Sequence, residues 1–183
     1  QSGRIVEINE EFYNSLGKTE GILKNFLDIQ VSELADKNEK KINIIHSILK
    51  LMINSNKLRK FISLDEIEKN LNDINQTLIF DFINQLQDRR IITSRKNNKE
   101  LIEYSLSHEV MVEKVYSWSD ERELKTKKAK EILDRGFMEW KTSNTLLNSK
   151  QLKIIRDGII FDKLSQDERK LFYASKAKIK KYT

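Results

Sequence analysis

Between Leu101 and Trp118 the apolar pattern of this chain changes its period. Leu101, Tyr104 and Leu106, with Glu103 among them, have the character of a strand. From Val110 onward the apolar residues fall at Val110, Met111, Val115 and Trp118, which is helical spacing. The chain must therefore turn from a β-strand into an amphipathic helix within about four residues, at Ser107, His108 and Glu109. Ser107 has the chemistry of an N-cap, and Glu109 in a first turn would suit the positive end of the helix dipole. A helix start is also an anion site, because its first amides lack intrahelical partners. The switch places a histidine where a phosphate could be held.

The rest of the chain reads as mostly helical. It contains no proline and only five glycines in 183 residues, so few positions force a break. Thr19 is an expected cap for a helix to Ala35 with an apolar face of Ile22, Leu23, Phe26, Leu27, Val31 and Leu34. Ala35–Lys40 is polar and ends it. A second helix carries Ile42, Ile45, Ile48, Leu49 and Met52 on one face. Phe61 and Ile62 form a short strand. Ser63 and Glu66 are spaced as a capping box for a helix through Leu71. Asn75 caps a third helix of this set, burying Leu78, Ile79, Phe82, Ile83 and Leu86. Ile91–Thr93 is strand, 95–100 a polar hairpin tip, and Leu101–Leu106 the returning strand.

Three helices followed by a small β-hairpin are the pattern of a winged helix, expected at about 38–107. The predicted fold is thus mostly α: a winged helix, a flanking N-terminal helix and a C-terminal helical extension. The expected domains are a leading segment and helix at 1–37, the winged helix at 38–118 and the extension at 119–183. In the extension a long helix should start at Ser119 and run to Trp140, burying Leu124, Ala129, Ile132, Leu133, Phe137 and Trp140. Leu146, Leu147, Leu152, Ile155 and Ile159 belong to one or two shorter helices. Ser165 and Glu168 cap a last helix through Leu171, Phe172 and Ile179.

The junction and several other segments resemble, in order, the winged-helix region of novel STAND-type nucleotide-switch ATPases of bacteria. These are relatives of the AP-ATPase and NLR immune switches. The segments are Tyr13–Leu23 (YNSLGKTEGIL), Phe82–Ile92 (FINQLQDRRII), the His108-Glu109…Trp118 signature, Leu124–Leu152, and Leu164–Ser175 (LSQDERKLFYAS). Together they cover about nine tenths of the chain. The resemblance implies that His108 senses nucleotide. Its ring and the neighbouring amides would touch the β-phosphate of ADP held by a separate ATPase domain. His108 aligns with the middle of the Met-His-Asp motif of the immune switches; here Ser107 and Glu109 flank it. Read from the residues alone, His108 is equally a structural side chain bonding a nearby carbonyl or facing water.

The resemblance further implies a module that closes over ADP or ATP with Mg in the intact parent. Exchange would release it, leading to homo-oligomerisation. The parent would serve in cytoplasmic signalling or antiviral defence. The chain opens on Gln1, so it is expected to be a fragment, with Gln1–Gly3 in part a cloning remnant.

Other chemistry is weighed against this. Gly17-Lys18-Thr19 mimics the tail of a P-loop, but Phe12 occupies the position of the required first glycine, and the preceding segment is too polar for a buried strand. Gly17 and Gly21 read instead as helix punctuation. The fragment is accordingly expected to be non-catalytic and to hold no cofactor of its own. His46 reads as a core or boundary histidine. Two histidines and no cysteine give no metal site and no disulfide. Glu10 with Glu11, and Asp120 with Glu121, read as helix-start charges. No apolar run reaches membrane-spanning length.

The net charge of +6 raises a nucleic-acid reading. Both signs are interspersed over 34% charged residues, which describes a solvated helical surface. The candidate recognition helix, 76–90, exposes Asp81, Asn84, Gln85, Gln87 and Asp88, with Arg89 and Arg90 only at its end. The alternatives carried forward are a DNA-binding winged-helix regulator and a purely structural interaction scaffold.

Overall fold

The computed structural model describes residues 18–159, 161 and 164–181. The expectations for Glu10, Glu11, Tyr13–Leu16 and Gly17 lie outside these, as does the burial of Ile22 and Leu23. The described chain is mostly helical with one small antiparallel sheet. Its elements are α1 (Lys18–Leu34), α2 (Glu39–Leu51), β1 (Ile62–Ser63), α3 (Leu64–Asn70), α4 (Gln76–Asp88), β2 (Ile92–Lys96), β3 (Ile102–Leu106), α5 (Met111–Ser117), α6 (Glu121–Ser143), α7 (Ser149–Gly158) and α8 (Gln166–Lys181). It divides into two compact units. One comprises residues up to Ile53 and Lys57–Trp118, the other Asn54–Asn56 and the residues from Ser119.

In the first unit α1 buries Leu27, Val31 and Leu34, spaced four and three apart. Phe26, expected on that face, is instead 39% exposed. The buried stripe is narrower than the hydrophobic one, and Phe26 lies one residue off its centre line. Thr19 and Gly21 fall inside α1, so neither caps nor punctuates it. The helix ends because Asp36 and Lys37 both take left-handed backbone angles (φ 50° and 57°). Asn38 then caps α2 through its side chain.

Ile45, Ile48, Leu49 and Met52 of this second helix are fully buried, as the periodicity predicts. Ser63 caps α3 by accepting from the Glu66 amide at 3.3 Å, one half of the expected box. Asn75 caps α4, accepting from Thr77 and Leu78 amides.

The sheet has the order β1-β3-β2, with β3 central. Ile62 pairs with Tyr104, and Ile92 with Leu106. β2 runs to Lys96, past the expected end at Thr93. Arg95 faces Glu103 across the ladder and reaches it at 3.2 Å, while its guanidinium lies 3.6 Å over the Phe61 ring. The turn is therefore only 97–101, closed by Asn97, whose Oδ1 accepts from the Lys99 and Leu101 amides. Asn97 also donates to Glu103, which with Arg95 holds that carboxyl below its ordinary pKa.

In the second unit Asp120, not Ser119, is the N-cap of α6. It forms a reciprocal capping box with Glu123. The acidic Asp120-Glu121 pair is thus a helix start. The helix ends at Ser143, followed by Asn144 in the left-handed region. Leu146 and Leu147 precede α7 rather than joining it; Leu147 is buried all the same. Ser165 and Glu168 form the full capping box of α8. The core here is Leu133, Leu147, Leu152, Ile155, Leu164, Leu171 and Phe172. No helix among the described residues is long and apolar enough to cross a membrane.

Candidate functional site

The site begins where the central strand leaves the sheet. Leu106 is fully buried and paired with Ile92, and the Ser107 amide adds one more bond, to Ile91 O at 2.9 Å. Four residues later Met111 and Val112 are buried again, with Val115 behind them. Both ends of the connection are thus anchored in one core, and the residues between must turn outward. His108 and Glu109 are exposed.

The turn differs from the capped helix start expected at Ser107. The N-cap of α5 is Val110, already in helical geometry (φ −60°, ψ −20°), and no side chain caps it. Turn bonds do the work instead. The Met111 amide donates to His108 O at 3.1 Å and the Val112 amide to Glu109 O at 3.0 Å. Swinging from strand to helix direction consumes these residues, so the helix begins four positions after Ser107. Two of the amides expected to be open to an anion are therefore satisfied locally. Glu109 lies ahead of the helix, and the acidic residue in its first turn is Glu113.

What fixes this turn is a residue that periodicity does not reveal. Arg59, from the segment before β1, donates through Nη1 to the carbonyls of Leu106 (2.8 Å) and Ser107 (3.1 Å). Its Nε donates to Glu109 Oε2 at 2.7 Å. The guanidinium fork spans backbone and carboxylate on either side of His108, a geometry the single ammonium of lysine lacks. Lys57 adds a second tie, reaching Glu113 at 3.1 Å and lying over the Tyr116 ring. On the far side of α5, Lys114 pairs with Asp28 of α1 at 2.5 Å. His108 is left between these clamps as an exposed imidazole on a braced turn.

His46 is built differently. It is half-buried on α2 and stacks on Trp118 with ring centroids 3.8 Å apart and planes 15° from parallel. Burial pushes its pKa down, Lys50 and Lys114 push the same way, and Asp28 opposes them. It is a neutral packing group. No group of three or more His, Cys, Asp or Glu among the described residues could hold a metal ion.

The basic residues around the hairpin are largely engaged. Arg89 bonds Gln30 at 2.7 Å and Glu33 at 2.8 Å. Arg95 is held by Glu103 and Phe61, and Lys96 by Glu100.

No protein-family model, curated protein or solved structure matches the chain.

Proposed function

We propose that this chain is the winged-helix and helical regulatory region of a STAND-type nucleotide switch, with His108 as its nucleotide sensor. The observation that carries the reading is an imidazole that is exposed yet held on a turn fixed by Arg59 and by two buried flanks. A sensor needs that combination. It must face a neighbouring domain, and its position must depend on the fold rather than on a loose loop. The element order helix–strand–helix–helix–strand–strand from α2 to β3, with β3 central, supports the winged-helix assignment.

In the parent protein the module closes over ADP bound to its own ATPase domain, and His108 contacts a phosphate. Exchange for ATP removes the contact, and the freed module permits homo-oligomerisation. This chain contributes one side-chain donor to that phosphate; the Mg ion and the phosphate-cradling loop belong to the ATPase domain. The fragment alone turns over no ATP. A DNA-binding role is disfavoured because Arg89, Arg95 and Lys96, which would meet phosphates, already satisfy carboxylates.

The test is His108→Ala in the intact parent. It should lower ADP retention and raise basal oligomerisation without changing the stability of the region. Unchanged nucleotide occupancy would remove the sensor role.

A further inference from the structure

In the second unit, α7 and α8 flank a groove of about 500 Å³. Its floor is apolar: Leu152 of α7, Phe172 and Ile179 of α8, and Phe161 from the segment between them. Tyr173 stands beside it, 58% exposed. Four cations rim it, two from each helix. Lys153 and Arg156 stand on α7 and Lys176 and Lys180 on α8. Arg156 pairs with its neighbour Asp157. No carboxylate among the described residues pairs with Lys153, Lys176 or Lys180.

We infer that this groove binds an acidic amphipathic helix of a partner protein, its apolar ridge on the Phe161–Phe172–Ile179 floor and its carboxylates against the two rows of cations. Positions 153 and 156, and positions 176 and 180, are each separated by about one helical turn, the spacing at which a helix repeats a side chain along one flank. Apolar anchors give such a groove its affinity, and the opposed charges on its two rims select an acidic ligand over a basic one.

Single-stranded nucleic acid is the other polyanion to consider, and the floor fits it poorly. Bases need ring faces open for stacking. Here Phe161 packs edge-to-face with Phe172 (4.9 Å, 77°) and with Tyr173 (5.6 Å, 64°), and Phe172 is buried. Aliphatic Leu152 and Ile179 complete a surface suited to Leu or Phe side chains. This inference stands apart from the nucleotide-switch proposal, since it uses no residue of that site.

The experiment uses the whole 183-residue chain and two synthetic helical peptides. Both peptides carry the same Leu/Phe ridge; one has Glu on both flanks and the other has Lys. Binding is read by fluorescence anisotropy. The Glu peptide should bind, more weakly as salt rises, and the Lys peptide should not. Lys153→Glu with Lys176→Glu should weaken the Glu peptide by about tenfold or more and admit the Lys peptide. Tyr173→Ala should weaken the Glu peptide while its melting curve stays that of the parent, because that ring is mostly exposed. Failure of the Glu peptide to bind, equal binding of both peptides, or indifference to the charge reversal would overturn the inference. So would tighter capture of a single-stranded oligonucleotide, or self-association of the chain that the double reversal abolishes.

Discussion

Replacing Arg59 tests whether the turn carrying His108 is held from outside or holds itself. Arg59→Ala removes three hydrogen bonds, two to backbone carbonyls and one to Glu109. Bonds from a charged donor contribute about 1.5–3 kcal/mol when well buried. The Arg59 side chain is 34% exposed, so water replaces part of each, and the Glu109 pair is a surface ion pair worth at most about 1 kcal/mol. The expected loss is about 1–2 kcal/mol, most of it from the carbonyl of Leu106, a residue buried to 0% exposure. Arg59→Lys should recover less than half, since one ammonium cannot reach both the carbonyls and the carboxylate.

The chain has two tryptophans, one in each unit. In a Trp140→Phe background, Trp118 alone reports urea unfolding of the first unit. Hydrogen exchange should accelerate at the Met111 and Val112 amides, whose bonds close the turn. A stability change within about 0.3 kcal/mol of the parent would refute the bracing argument. So would a Glu109→Gln variant that loses as much as Arg59→Ala, because the surface pair would then carry the effect.

Two further outcomes follow from packing and burial. Gly158→Ala should destabilise the second unit by about 1–3 kcal/mol, because the new Cβ would lie 2.6 Å from Lys125 O and 2.5 Å from Ala129 Cβ, neither free to move aside. Gly136→Ala meets only the end of the Leu147 side chain and gains about 1 kcal/mol of helix propensity, so its melting curve, followed at Trp140, should change far less. His46 titrates below its ordinary range in the folded chain. The unfolded chain therefore binds a proton first as pH falls, and the first unit should lose stability below about pH 6.5. His46→Gln should flatten that slope, and an unchanged pH profile would show that another group governs it.

Local chemistry was the legible part of this chain. Ser63, Asn75, and Ser165 with Glu168 announced their helices, because a cap is a bond between residues two or three apart. The stripe of α2 was equally plain, since burial there follows one period. Ser107 misled for the same reason. It has cap chemistry, but the chain needs a full turn between strand and helix, and that requirement is set by where the two ends are buried. Arg59 left no local trace. Its acceptors at Leu106 and Ser107 lie 47 and 48 residues away, and an arginine in a polar loop looks like any solvated cation. Phe26 shows the opposite error, an aromatic residue counted into a face that the neighbouring elements do not cover. The exposed imidazole of His108 was legible as a residue, while the braces around it were not.

Ser175 is one of only two polar residues among the described core positions. Its hydroxyl accepts from the Leu147 amide at 3.0 Å and donates to Leu171 O at 2.7 Å. A greasy contact tolerates slippage; a lone donor and acceptor joined inside oil do not. The last helix is therefore indexed like a key in a slot, and sliding it by one turn would strand an amide with no water to receive it.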